Sequence, residues 1–306
     1  MDSITHILLG YALSQSELIA ESKSATACII LASIAPDIDL VFRARGVEKY
    51  FFHHRRESHS LFGLFLLSLG LLVLGKYTCP SLGWAKIYLF SWLGLLSHLL
   101  LDFLTSYGVP LFFPFKKRFY NLALLFILDP WLDLILVFAL AGRWLFSSPS
   151  LPAKISLLAG AGYLLILAWA KQQAKNQAKT LLTKPGLSPE KISAYPYFAH
   201  PFRWLTLGKK GKEIYRLTIS LAGKSSPLSC FFSQIPQEIM KEAQSHPLAG
   251  AMMNFSDYLY WKYFSREEEK ILQIYDLRYS QYGMGFCAQL VWNQKGELVK
   301  SQFRYY

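Results

Sequence analysis

Two groups able to bind a metal lie four residues apart in the apolar stretch Ser97-His98-Leu99-Leu100-Leu101-Asp102. In a helix, His98 and Asp102 fall one above the other on a single face. No other side chain between Ile87 and Leu101 titrates near neutral pH. An imidazole and a carboxylate so placed can share one cation or can simply hydrogen-bond to each other. Either group left bare in an apolar helix costs on the order of several kcal/mol.

Similar residues recur through the first half of the chain. His6 stands near the start of a first helix, and Asp37 and Asp39 close an apolar run as Ala35-Pro36-Asp37-Ile38-Asp39. His53, His54 and His59 share the segment His53-His54-Arg55-Arg56-Glu57-Ser58-His59-Ser60, and Asp129 and Asp133 flank Pro130-Trp131-Leu132. Singly, each has a structural reading. The aspartates after Pro36 can stop or cap a helix, His53 and His54 can touch anionic lipid head groups, and His59 can cap the next helix. Asp129 and Asp133 are harder to explain away, because carboxylates within spans are costly.

Together they form a mixed His/Asp set on at least four helices, which is how a helical bundle builds a metal site. Imidazole and carboxylate without thiolate suit Zn, Mn or Fe. The set exceeds the three or four protein ligands of one zinc, so two or more divalent ions are expected. Such a centre lowers the pKa of water and clamps the oxygens of a phosphoryl group. A nucleophilic serine at Glu57-Ser58-His59 lacks a G-x-S-x-G elbow, and no glycine-rich phosphate loop is present.

The elements that must position these residues are greasy. The 306 residues are long enough for two domains, with 53% hydrophobic and only 17% charged side chains. The formal net charge is +12, but many basic residues sit at the edges of apolar runs, which fits a membrane protein better than a nucleic-acid binder. Cysteines 28, 79, 230 and 287 are scattered, which suits a reduced compartment and disfavours a thiolate site. The N-terminus has no basic region ahead of its first helix, so no cleaved signal peptide is expected.

Apolar runs occupy residues 4–19, 25–36, 60–75, 87–101, 122–142 and 155–170. Sixteen residues cover about 24 Å of helix against a hydrocarbon core of about 30 Å; flanking Tyr, Trp, Lys and Arg can make up the difference. Six spans are therefore expected. The basic loops at 43–58, 107–121 and 171–185 would face the cytoplasm, with 20–24, 76–86 and 143–152 outside. That topology gathers His6, Asp37, Asp39, His53, His54, His59, His98 and Asp102 at the cytoplasmic ends of their helices. The expected organisation is a membrane-embedded helical domain (1–170), a basic linker helix (171–194) and a small β-rich cytoplasmic domain (195–306). In the last, residues 213–221 and 286–292 alternate with period 2. Asn293-Gln-Lys-Gly296 reads as a hairpin turn into 297–305, and a helix is possible near 236–245.

The motifs Met1-Asp-x-x-Thr-His6, Ala35-Pro-Asp-x-Asp39, His54-Arg-Arg-x-Ser-His59-Ser and His98-x-x-x-Asp102 resemble a family of bacterial inner-membrane metal-dependent hydrolases, one of them repressed by the SOS regulator. The resemblance covers about residues 1–170. Tyr195-Pro-x-x-x-x-Pro-Phe-Arg-Trp204, Phe264-Ser-Arg and Asp276-Leu-Arg-Tyr look like the soluble tail of a subset of that family. More distantly, the order His, Asp, His, His-x-x-x-Asp is similar to the zinc-dependent phospholipase C and P1-type nuclease group, helical enzymes with a three-zinc site. That likeness implies His6, Asp37, His59, His98 and Asp102 as metal ligands and zinc as the metal. Asp129-x-x-x-Asp133 stands where that group has His-x-x-x-Glu, and the histidine of that pair is absent here.

The resulting expectation is a mainly α, multi-pass protein of the bacterial inner membrane with a phospholipase C-like helical core. Its metal ligands would be His6, Asp37, His59, His98, Asp102, Asp129 and Asp133, with Asp39 and His54 as catalytic residues. Its activity would be hydrolysis of a phosphoester, lipid included, at the cytoplasmic face, with no nucleic-acid partner. Two other readings stand beside it: a non-catalytic membrane protein with a structural metal site, and a metal transporter.

Overall fold

Helix α1 (Ser3–Gln15) starts where the Asp2 carboxylate accepts from the Ile4 and Thr5 amides, supplying two donors the first turn would leave unpaired. Helix α2 (Lys23–Ile34), capped by Ser22, runs into a 3-10 helix over Ala35–Arg45 with Pro36 in its first turn. A short α3 (Val47–His53) precedes α4 (Leu61–Thr78), whose first turn is capped by the Ser60 hydroxyl on the Gly63 amide. Then come α5 (Trp84–Leu104), α6 (Pro130–Ala141) and the long α7 (Ser150–Leu182). The computed structural model describes residues 1–16, 22–183, 187–282 and 286–305. The Pro185-Gly186 boundary, the glycine-rich turn at 283–285 and residues 20 and 21 of the expected outer loop lie outside these residues.

Among the described residues, four helical segments are long and apolar enough to cross a membrane: Lys23–Arg45, Leu61–Thr78, Trp84–Leu104 and Ser150–Leu182. Among the described residues α1 and α6, with 13 and 12 residues or about 18–20 Å of helix, are not among these segments. The expected 122–142 helix begins only at Pro130. Asp129 is extended (φ −116°, ψ 100°), as a residue before proline prefers, and its carboxylate accepts from the Leu132 amide as the N-cap. The chain from Thr105 to Asp129 is instead irregular, tied by bridges between Thr105 and Leu125 and between Val109 and Tyr120.

The chain divides into two units, Met1–Ala168 and Trp169–Tyr306. In the first, α5 packs against α1, α2 and α4. Small residues let these helices approach closely, as in other membrane bundles. A Cβ at Gly94 would lie within 3 Å of the Ile29 carbonyl oxygen, the Ala32 side chain and the Ser33 amide, and one at Gly10 would meet the Ser33 hydroxyl. The outer face of α5 is apolar, with Leu89, Leu96 and Leu100 exposed, whereas His98 and Asp102 on the inner face are completely buried.

The second unit holds two antiparallel four-stranded sheets. One runs β1 (Lys191–Tyr197), β2 (His200–Lys210), β3 (Glu213–Ser220), β4 (Ser229–Phe232) in order. Helices α8 (Gln237–Ser245) and α9 (Pro247–Phe255) lead to the other, β5 (Leu259–Arg266), β6 (Glu269–Asp276), β7 (Phe286–Trp292), β8 (Leu298–Tyr305). Trp204, Tyr258, Leu272 and Trp292 are buried in this unit. The β7–β8 hairpin turns at Gly296 with φ +80°, where glycine carries no steric penalty. The β5–β6 hairpin turns instead on Glu267 and Glu268, both at positive φ.

Cys28 on α2 and Cys79 after α4 are buried with their sulfurs 3.8 Å apart. A disulfide needs about 2 Å, so a small movement suffices to join them. Mild copper–phenanthroline oxidation in detergent is expected to yield a faster-migrating monomer on non-reducing gels, and Cys28→Ser to abolish it. A wild-type chain whose mobility is unchanged by the oxidant would contradict the packing of α2 on α4.

Candidate metal centre

The C-terminal turn of α5, the 3-10 helix after α2, the segment before α4 and the start of α1 meet at one end of the helical unit. The Gly94 approach brings the Ser33 carbonyl 2.7 Å from His98 Nδ1. A carbonyl only accepts, so Nδ1 carries the proton and the neutral ring turns its Nε2 lone pair inward. His59 is fixed in the same way from the other side. Its Nδ1 faces Asp39 Oδ2 at 3.3 Å and the Ser58 hydroxyl at 3.0 Å. Both tautomers therefore point lone pairs at each other, and the two Nε2 atoms are 3.0 Å apart.

Two carboxylates close the same space. Asp102 Oδ2 lies 3.2 Å from His59 Nε2 and 3.5 Å from His98 Nε2. Asp37 Oδ1 is 3.7 Å from each of those nitrogens, while its Oδ2 accepts from Ser3 Oγ at 2.7 Å. These separations of 3.0–3.7 Å bracket the edge, about 3.3 Å, of a tetrahedron with metal–ligand bonds near 2.0–2.1 Å. His6 stacks on His98 with ring centroids 3.7 Å apart, and its Nε2 is 3.4 Å from Asp102 Oδ1. His6, His59, His98 and Asp102 are at most 1% exposed. Both ring nitrogens of His6 and Asp102 Oδ2 nevertheless have no partner in hydrogen-bonding geometry among the described residues. Buried polar atoms are seldom left so.

The donor set fits a divalent cation. His6, Asp37 and His98 form one group able to hold an ion, and His59, His98 and Asp102 form another. Because His98 belongs to both groups and its Nδ1 is committed to Ser33, the five residues make one centre. Without a metal, a proton must separate the facing nitrogens. Burial opposes a charged His59, but the facing carboxylates of Asp102, Asp37 and Asp39 outweigh it and raise its pKa to about 10.

A second layer surrounds the centre. Asp39 accepts from the Arg55 amide at 2.6 Å and lies 3.1 Å from His54 Nδ1, so one carboxylate orients both His54 and His59. Burial lowers the pKa of His54 despite its hydrogen bond to Asp39, leaving a neutral imidazole at the rim. Arg55, in the sequence one member of a basic segment, is 2% exposed. Its guanidinium reaches Asp102 Oδ1 at 3.0 Å, Thr105 Oγ1 at 3.1 Å and the Met1 carbonyl at 3.0 Å, and it lies over the Tyr107 ring. The Met1 amino group also contacts Asp102. Arg55 sits in the left-handed region with φ +55°, a strained state for a non-glycine residue of the kind that collects at functional sites. Arg55, Ser3, Ser33 and Thr105 had no signal of their own in the sequence; for Arg55 the hint was its place between His54 and His59.

Three other candidates stand apart from the centre. Asp129 caps α6 and accepts from the Tyr163 hydroxyl at 3.1 Å. Asp133 accepts from Thr5 Oγ1 at 2.6 Å. Neither belongs to a group of described residues able to hold an ion. His53, 40% exposed at its side chain, stacks on Phe42 and pairs with Glu57.

A relative from Bacillus subtilis (strain 168), the uncharacterized protein YfhP, is 21% identical over 294 residues, which cover 92% of this chain and 88% of that protein. No solved structure matches. Residues 1–174, which carry the whole centre, match the YdjM inner membrane protein family, and the chain belongs to that family.

Proposed function

We propose that the protein is a metal-dependent hydrolase of phosphoesters working at the cytoplasmic face of the inner membrane. Its ligands are His6, Asp37, His59, His98 and Asp102, a set that suits Zn, Mn or Fe, and the likeness in ligand order makes zinc the metal of this proposal. His59, His98, Asp37 and Asp102 would hold one ion, and His6 beside Asp102 would offer donors to a second. The helical domain of residues 1–170 lies in the membrane, and the β-rich domain of 195–306 lies in the cytoplasm. The order of the ligands keeps the likeness to the zinc-dependent phospholipase C and P1 nuclease group within this proposal.

The observation that carries the reading is the Asp39 carboxylate, shared between His59 of the centre and His54 at its rim. A divalent ion held there supplies Lewis acidity toward a phosphoryl oxygen and makes a nearby water more acidic. His54 donates through Nδ1 to Asp39, so its Nε2 is the atom that takes a proton from water and returns it to the leaving group. Asp39 acts through both imidazoles as a positioning residue, and Arg55 holds Asp102 against them. The nearly complete burial of the ligands favours a second reading, a structural metal site, because structural sites are closed.

Three variants separate these readings. His98→Ala and Asp102→Asn are expected to insert and express normally, yet to lose metal by elemental analysis and any phosphodiester turnover together. An Asp102→Asn chain with full metal occupancy would remove Asp102 from the ligand set. His54→Ala should keep its metal and lose turnover of bis-p-nitrophenyl phosphate by about 10²–10⁴-fold. Metal-replete wild type that turns over no phosphoester supports the structural site instead.

The His59 proton gives a pH signature. Its pKa is raised from 6.5 to about 10 in the metal-free fold. The stability this proton provides is fully present below about pH 6.5 and is lost as pH rises through 10. Zinc added to metal-free protein at neutral pH is expected to displace that proton, detectable with an indicator dye in weak buffer, and occupancy should fall on acidification. Stoichiometric zinc uptake with no proton released would contradict a His59 ligand.

A further inference from the structure

A groove of about 990 Å³ runs along the helical unit between α2 and α4. Asp37 and Ser58 line one end, and Phe62, Leu66, Gly70 and Leu74 of α4 carry it onward. From Phe62 to Leu74 is twelve residues, about 18 Å of helix. Both α2 with its 3-10 extension and α4 are apolar enough to cross a membrane, and Phe62, Leu66 and Leu74 are about half exposed. The groove is thus apolar and open over most of its length, and polar at the end where Ser3, Asp37, Glu57 and Ser58 line it. A Cβ added at Gly70 would meet nothing within 4 Å, so the missing side chain leaves space in the groove, not a tight helix contact.

We infer that this groove holds one acyl chain of a membrane lipid, with the lipid's phosphoester head group delivered to the centre at Asp37. The inference rests on the hydrolase reading for what happens at the head group and names its substrate class, an acyl-bearing phosphoester. A water-soluble phosphoester would gain nothing from the hydrocarbon walls that carry the groove from Asp37 along α4. A single chain entering sideways from the bilayer keeps its apolar part in apolar surroundings throughout, so no acyl surface has to enter water.

The test uses the full chain reconstituted in phosphatidylglycerol vesicles containing a diazirine-tagged acyl chain, with photolabelled peptides mapped by mass spectrometry. Labelling of α4 between Phe62 and Leu74 should exceed that of the outward face of α5 around Leu89 and Leu96, which any surrounding lipid touches. Gly70→Phe puts a ring into the groove from a position where a Cβ meets nothing within 4 Å, and it should bring α4 labelling down to the α5 level, with metal content unchanged. Gly70→Leu provides the same test with a smaller side chain should the phenylalanine variant express poorly. Wild-type α4 labelling no greater than on α5, or labelling unaffected by both substitutions, would overturn the inference. Metal content is read on the same samples, so a wild-type chain that labels in the groove but carries no metal sinks the hydrolase reading and leaves the groove standing.

Discussion

Two imidazole nitrogens, His59 Nε2 and His98 Nε2, face each other at 3.0 Å with carboxylate oxygens of Asp102 and Asp37 beside them. Their other nitrogens are already committed, to the Ser33 carbonyl on one side and to Asp39 on the other. Four lone-pair atoms crowded together repel one another unless a cation lies among them. In an apolar bundle the cost of leaving them bare rises, because little water is present to screen them. The arrangement therefore demands either a metal or an extra proton, and much of the surrounding helix packing serves to hold these atoms at that separation.

The packing does so through small residues and caps more than through large ones. Gly94 lets α5 touch the backbone of α2, which puts Ser33 on His98 one turn later, and Gly10 brings α1 to the same residue. Pro36 starts a 3-10 segment at the end of α2; from it Asp37 reaches the two Nε2 atoms, while Asp39 reaches the outer nitrogens of His59 and His54. Arg55 accepts a strained backbone, and its amide and guanidinium then bind two of the three aspartates. A buried charge network of this kind is costly to assemble and gains little stability over a well-packed apolar core, so its presence is better explained by what it holds.

Much of this was legible in the sequence. The four-residue spacing of His98 and Asp102 needs only helical periodicity, and the apolar runs mark α2, α4, α5 and α7. The period-2 stretches mark β3 and β7, and Asn293-Gln-Lys-Gly296 marks the hairpin into β8. Other features depend on contacts far apart in the chain. Asp129 and Asp133 read as candidate ligands because carboxylates within a span are costly; in the structure Pro130 makes Asp129 a helix cap, and Tyr163 and Thr5 donate to the two carboxylates. The β5–β6 hairpin had no glycine or asparagine to announce it, since Glu267 and Glu268 adopt the left-handed turn themselves. Arg55 looked like one more interfacial cation, and only the return of α5 beside it makes it a buried partner of Asp102. The proximity of Cys28 and Cys79, 51 residues apart, likewise follows from packing and not from spacing.

X-ray absorption at the metal edge, on protein purified from cells without added chelator, tests the central claim most directly. The account predicts one tightly bound divalent ion with two or three imidazole nitrogens and carboxylate oxygens at about 2.0–2.1 Å. Protein that is folded and free of stoichiometric metal, with nitrogen NMR showing a buried imidazolium at His59, would contradict it.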